Sequence, residues 1–246
     1  ICITPLLLPV ILSIILSKGA LRMSKKKTIV KKLDSIQSFG AMNILCTDKT
    51  GTLTEDKIVL EKYLDVMGNE DSRVLKHAFL NAYFQTGLRS NIDEAVINRG
   101  TEHGLDELST KYTKIDEVPF DFSRRRLSVI VSDGTKTQLI TKGAVEEILN
   151  ISTMVDFQGS VSPITNAIKE NIKKIAKDLN KQGLRVVAVC QKNDLDKTSG
   201  FGVSDEKNMV LMGFIGFLDP PKESAKSSIE KLGKNGIRVI VLTGDN

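Results

Sequence analysis

Asp48-Lys49-Thr50-Gly51-Thr52-Leu53-Thr54 gathers a carboxylate, an amine, three hydroxyls and a glycine into one short stretch. Directly before it lies Met42-Asn43-Ile44-Leu45-Cys46-Thr47, mostly apolar and too short for a typical helix. That run reads as a buried strand delivering Asp48 at its C-terminal end, where open α/β sheets bind ligands. A carboxylate so placed can act as a nucleophile in phosphoryl transfer, dividing one difficult transfer into two easier steps through an aspartyl phosphate. Two anions must approach each other in that reaction, so the site needs Mg²⁺ and hydrogen-bond donors. The threonine hydroxyls and the Gly51 backbone supply some of these donors.

The elements that must position Asp48 lie at both ends of the chain. A second apolar strand, 238–242, ends in Thr243-Gly244-Asp245-Asn246 and so delivers polar groups in the same way. Before it, 224–235 has helical spacing, with Ala225, Ile229 and Leu232 on one face and Gly236 placed as a C-cap. The apolar run 210–218 precedes that helix and completes a β-α-β unit. Residues 33–57 and 210–246 are therefore expected to build one parallel-sheet domain. The region between, 58–209, is too long for a loop and has its own pattern, so it reads as an inserted domain that folds independently. Within it, 127–131 and 138–141 flank Asp133-Gly134 as a hairpin, 164–182 reads as an amphipathic helix ended by Gly183, and 184–190 reads as a strand. No internal repeat or low-complexity tract interrupts the pattern.

The composition, 41% hydrophobic and 26% charged over 246 residues, is that of a globular chain and excludes disorder as the default. Much of the net charge of +5 precedes Asp34, in Lys18, Arg22, Lys25, Lys26, Lys27, Lys31 and Lys32. This basic run follows an uncharged apolar stretch, 1–16, which favours a cytoplasmic membrane flank over nucleic-acid binding. The stretch is shorter than the roughly 20 residues of a full span and carries Pro5 and Pro9. Residues 1–17 thus read as the end of a broken transmembrane helix and 18–32 as a basic stalk. A signal peptide fits less well, since the positive charges follow the apolar run. Cys2, Cys46 and Cys190 are widely spaced and imply a reducing cytoplasm. His77 and His103 lack metal-ligand spacing and read as surface or half-buried residues.

The heptapeptide at Asp48 resembles the phosphorylation signature of the P-type cation-transporting ATPases. The resemblance implies an α/β fold: a dehalogenase-like, Rossmann-type phosphorylation domain, incomplete here, with an inserted α+β nucleotide-binding domain. It implies ATP-driven cation transport, with ATP and Mg²⁺ as cofactors. Catalytic roles fall to Asp48, Lys49 and Thr50 and to Thr243, Gly244 and Asp245, with Asp48 and the Thr50 carbonyl holding the metal. Thr50 also separates this reading from a phosphatase of the dehalogenase fold. Such enzymes usually carry a second Asp there, as the general acid and base that discharges the acyl phosphate.

In the inserted domain, Pro119-Phe120-Asp121-Phe122-Ser123-Arg124-Arg125-Arg126-Leu127-Ser128 resembles the family segment with an adenine-stacking Phe and a nearby basic residue. These roles carry over to Phe120 and Arg125, with Phe122 competing for the first; either Phe could instead be core. Lys142-Gly143-Ala144 matches the family's KGA motif, whose ammonium lines the nucleotide pocket and whose glycine permits close backbone approach. Gly183-Leu184-Arg185 looks like the family's arginine for the nucleotide phosphates. Asp93 resembles the acid near the adenine, although a solvated helix-start acid explains it almost as well. Asp219-Pro220-Pro221-Lys222 resembles the hinge returning to the phosphorylation domain, which implies a nucleotide-site role for Asp219 in fixing the interdomain approach and a phosphate contact for the basic residue; its prolines also suit a stiff connector.

The wording of several segments is most similar to the bacterial magnesium-transporting subgroup. Leu6 departs from it, standing where the resembling motif has an acidic cation-site residue. The resemblance implies an integral protein of the cell membrane, with residues after about 18 in the cytoplasm. Its partners would be ATP, the membrane, the transported Mg²⁺ and the missing parts of the same pump, including the actuator and the acid pair that follows TGDN; no nucleic acid is implied. Without those parts Asp48 is expected to phosphorylate poorly, and a nucleotide-binding module without turnover is the alternative.

Overall fold

The computed structural model describes residues 4–55, 57–87, 89–193, 195 and 200–242, with side chains from Leu7 onward. The chain forms two compact units, one of Ile1–Thr54 with Pro221–Asn246 and one of Glu55–Pro220.

The first unit opens with helices α1 (Thr4–Ser24) and α2 (Ser35–Gly40) and strand β1 (Ile44–Asp48). Helix α1 runs through the boundary expected at 17/18. Pro5 sits in its first turn, where a missing N–H removes no helical bond, and Pro9 is accommodated within the helix. Leu7–Ser24 is long and apolar enough to cross a membrane, by length and composition only. Strand β1 departs from the buried strand expected of it: Ile44, Cys46 and Asp48 are exposed, and Leu45 and Thr47 half-buried. Among the described residues its sheet has two strands, and so narrow a ribbon buries little.

The second unit contains β2 (Val59–Asp65), α3 (Ser72–Phe84), α4 (Asn91–Glu102), α5 (Leu108–Lys111), β3 (Thr113–Asp121), β4 (Arg126–Ser132), β5 (Thr137–Gly143), α6 (Val145–Ile151), β6 (Ser152–Phe157), β7 (Ser160–Pro163), α7 (Asn166–Lys181), β8 (Arg185–Lys192) and β9 (Met209–Leu218). Helix α8 (Glu223–Lys234) and strand β10 (Arg238–Leu242) return to the first unit.

An eight-stranded sheet organises the second unit in the order β3-β4-β5-β8-β9-β6-β7, with β2 also paired to β9. Both faces of its central strands are covered, so β4 and β9 read as nearly continuous apolar runs. Val129, Val131, Ile140, Val189, Met212 and Ile215 point to one side and pack with Leu75, Phe79 and Leu80 of α3 and Val96 of α4. Their neighbours Ile130, Leu139, Ala188, Cys190, Leu211 and Phe214 point the other way, onto Ile148 of α6 and Ile172 of α7. His77, expected near the surface, is buried in α3. Its Nδ1 lies 2.6 Å from the Arg73 carbonyl and its Nε2 3.1 Å from Gln191 Oε1.

The apolar run 210–218 lies outside the parallel sheet expected of it. Strand β9 pairs with β2, β6 and β8 inside the second unit, so it does not form a β-α-β unit with α8 and β10. Its ten-residue apolar run fits the centre of either sheet, and only pairing decides between them.

Candidate functional site

In the first unit β1 and β10 pair in parallel and in register, with Asp48 opposite Leu242. Thr243, Gly244 and Asp245 follow Leu242 and lie outside the described residues. Asp48 is exposed, and its Oδ1 accepts the Lys49 backbone N–H at 2.7 Å. Beyond it the chain turns sharply at Gly51, whose φ of +72° is a left-handed conformation that glycine adopts without penalty. The Gly51 N–H, expected among the donors to a phosphoryl group, instead donates to Thr54 Oγ1 at 3.0 Å. Lys222 braces the same turn, its Nζ donating to the Gly51 carbonyl at 2.7 Å and its N–H to the Leu53 carbonyl at 2.8 Å.

Among the described residues no three His, Cys, Asp or Glu side chains form a metal-binding group. The oxygens of Asp48 and of the Thr50 carbonyl still fit Mg²⁺, which uses one or two protein carboxylates and completes its shell with water and substrate phosphate.

The second unit holds a cavity of about 760 Å³ at the sheet end where β3 stops, β4 starts, β5 stops and β8 starts. Asp93, Phe120, Phe122, Arg125, Lys142, Gly143 and Arg185 all line it. Asp219, the remaining residue expected at a nucleotide site, does not; it follows β9, and its Oδ1 is buried without a hydrogen-bond partner.

The cavity floor is polar and buried. Strand alternation points Lys142 to the same side as Ile140, toward α3 and α4, and its ammonium forms an ion pair with Asp93. Asp93 is the third residue of α4, where Ser90 and Asp93 form a reciprocal capping box. This places the carboxylate beneath the cavity, buried rather than solvated as the alternative reading of a helix-start acid has it. Gln85, at the end of α3, joins the pair: its amide donates to Asp93 Oδ2 at 2.6 Å, and its carbonyl oxygen accepts from Lys142 Nζ at 3.2 Å. Burial opposes ionisation of Asp93, but the Lys142 ammonium and the Ser90 donors outweigh it, holding the carboxyl below its ordinary value. Burial draws Lys142 down as well, against the pull of Asp93.

The cavity mouth is aromatic and cationic. Phe120 and Phe122 are 51% and 89% exposed, with ring centroids 5.2 Å apart and edge to face. Neither is core, and both face the cavity. Of the three consecutive arginines, Arg124 and Arg126 bind the buried Glu206, whereas Arg125 lines the cavity and pairs with Glu147 at 2.8 Å. Gly143 lines the cavity and also has a packing reason to lack a side chain. A Cβ on it would lie 2.6 Å from the Arg125 carbonyl, so the glycine lets β4 and β5 close on each other at the cavity wall.

Exposed rings suit the flat face of a nucleobase, guanidinium groups suit phosphate, and the volume suits a small molecule. Sequence reasoning missed Gln85, Glu147 and Glu206. Ser90, three residues before Asp93, was the one signal available, as a capping pattern.

The family model for the P-type ATPase cytoplasmic domain N matches residues 81–224. The chain is 47% identical over 245 residues to the magnesium-transporting ATPase, P-type 1, of Escherichia coli K12, which covers 99% of this chain and 27% of that protein. The like-named protein of Salmonella typhimurium strain 14028s gives the same identity and coverage. Calcium-transporting ATPase 1 of Bacillus cereus is 30% identical over 97% of this chain and 29% of its own length. The chain therefore spans little more than a quarter of these curated relatives. On the match to domain N, which takes in the strands and helices that build the cavity, the chain belongs to the P-type ATPases.

Proposed function

We propose that this chain is the ATP-binding and phosphorylation core of a membrane-embedded P-type cation ATPase, with Mg²⁺ as the transported ion. The observation that carries the reading is the convergence of Asp93, Phe120, Phe122, Arg125, Lys142, Gly143 and Arg185 on one cavity. Phe120 and Phe122 take the adenine, Arg125 and Arg185 meet phosphate, and the Lys142–Asp93 pair supplies a fixed polar floor. In the other unit Asp48 attacks the γ-phosphate: a P–O bond to its carboxylate forms, the bond to the β–γ bridging oxygen breaks, and ADP leaves. A magnesium ion held by Asp48 and the Thr50 carbonyl would supply neutralisation of the approaching anions. Thr50 offers no carboxylate for rapid discharge of the acyl phosphate, which suits an intermediate that must outlast a conformational step. The parallel pairing of β1 with β10 supports a dehalogenase-like arrangement around Asp48. The apolar α1 and its basic C-terminal flank support anchorage in a membrane, with the following residues on the cytoplasmic side.

The test is incubation of the full chain with γ-labelled ATP and Mg²⁺, an acid quench, and a search for hydroxylamine-labile label. Label absent from Asp48→Asn is the expected result. ATP binding that Arg185→Ala weakens, with no label in the wild type, would reduce the reading to a nucleotide-binding module without turnover. Release of phosphate from an aryl phosphate would instead favour a phosphatase.

A further inference from the structure

Glu206 follows the 3₁₀ turn Val203–Asp205 and does not line the cavity, yet its side chain has no solvent access. An ionised carboxylate is expensive to bury unless donors surround it. Here Arg124 Nη1 donates to both oxygens, at 2.7 and 3.0 Å, Arg126 Nε to Oε2 at 2.7 Å, and Ser128 Oγ to Oε1 at 2.6 Å. Ser128 Oγ is also 2.7 Å from Thr141 Oγ1 on β5. These donors come from residues about eighty positions earlier, all within the segment that bounds the cavity mouth.

The network reaches the mouth through Arg124. Its Nη2 donates to the Pro119 carbonyl at 2.7 Å, and its Nε lies 3.6 Å from Asp121 Oδ2. One carboxylate thus tethers, through a single guanidinium, the residues on either side of Phe120, and through Arg124 and Arg126 both neighbours of Arg125. Arg125 needs such support. Its φ of +46° is a left-handed conformation that a side-chain-bearing residue adopts only when its surroundings hold it there. The turn closes with the Arg125 N–H donating to the Asp121 carbonyl at 2.7 Å and the Arg125 carbonyl accepting from Ala144 N–H at 3.0 Å.

We propose that Glu206 is a positioning residue for nucleotide: it holds the turn of residues 119–126 in the shape that presents Phe120, Phe122 and Arg125 to the ligand. The inference rests on the reading of the cavity as a nucleotide site. A carboxylate suits the task because it collects several charge-assisted donors at one point.

The experiment measures binding of trinitrophenyl-ATP to the full chain in detergent micelles, at a temperature where circular dichroism shows each variant folded. Wild-type binding comes first, since a chain that does not bind overturns the nucleotide reading and this inference with it. Glu206→Gln keeps the shape and removes the charge. If it leaves the turn competent about a tenth of the time, the dissociation constant rises about tenfold. A folded Glu206→Gln that binds within twofold of wild type overturns the inference alone. Should that variant not fold, Arg124→Gln is read in its place, because it cuts the tether to Pro119 and Asp121; weaker binding supports the inference and unchanged binding overturns it. In a Phe120→Ala/Phe122→Ala background the effect of Glu206→Gln shrinks if it acts through the turn. A full tenfold loss persisting there overturns that route.

Discussion

At the residue scale the Lys142–Asp93 pair joins binding to stability. Removing one partner of a buried ion pair strands the other, at a cost of about 3–5 kcal/mol, so Lys142→Ala is expected to lower the urea midpoint as well as nucleotide affinity. The two effects separate in Lys142→Met/Asp93→Leu, because replacing both charges with apolar groups is often nearly neutral. That double variant is expected to regain part of the lost stability, since Gln85 and Ser90 still lose the Asp93 acceptor, while still binding nucleotide poorly; recovery of binding would remove the pair from the site. Titration gives a second test. Burial holds the His77 imidazole below its ordinary value, against the hydrogen bonds to the Arg73 carbonyl and Gln191 that favour the charged ring, so the residue binds a proton less readily folded than unfolded. Its contribution is therefore lost as pH falls below about 6.5. Asp93 and Asp156 behave differently. Burial opposes their ionisation, but Lys142 and Arg73 hold both below the ordinary carboxyl value. Their contribution is complete above about pH 4 and disappears as pH falls through the folded values. Urea midpoints are expected to decline from pH 7 to 5, to decline again below pH 4, and to lose the first step in His77→Gln. A midpoint flat from pH 7 to 5 in the wild type would contradict the buried histidine.

At the element scale the close seam between β4 and β5 is the sensitive feature. A methyl at Gly143 meets the Arg125 carbonyl and Arg126 Cα, both backbone atoms that cannot rotate away. Gly143→Ala is expected to cost about 1–3 kcal/mol, as overpacking does, and to weaken nucleotide binding by moving Arg125. Calorimetric unfolding with a titration of the folded protein checks both, and unchanged binding would mean that the wall tolerates the shift. Much at this scale was legible from sequence. The β4–β5 hairpin closes around Asp133 and Gly134 as expected, because Asp133 Oδ1 accepts from Thr135 and Lys136 within the turn. Helix α7 and strand β10 also fall where periodicity put them. Burial of β1 was not legible, since an apolar run shows what a strand is able to bury but not whether a neighbour covers it. The pocket residues were legible through family wording, whereas Gln85, Glu147 and Glu206 act through contacts between distant segments that no local pattern encodes.

At the scale of the whole molecule the unit boundary decides which piece folds. Among the described residues the three apolar clusters lie between residues 58 and 218, in the unit Glu55–Pro220. Reading the sequence as an inserted domain of 58–209 cuts that unit at β9, because a strand buried on both faces carries no mark of the sheet it joins. The cut would remove Leu211, Met212, Phe214, Ile215 and Phe217, all buried, and leave β2, β6 and β8 without the strand that pairs with each of them. A fragment of residues 55–220 is therefore expected to unfold cooperatively and to bind trinitrophenyl-ATP with the affinity of the full chain. A fragment of residues 58–209 is expected to lose both properties, since exposed ladder groups on three strands and an opened core exceed the few kcal/mol by which a domain of this size is stable. Amide exchange supplies the check within the longer fragment. Slowest exchange in β8 and β9 would place the stability of the unit at its central strands, and fast exchange there would mean that the cavity rests on some other part of the sheet.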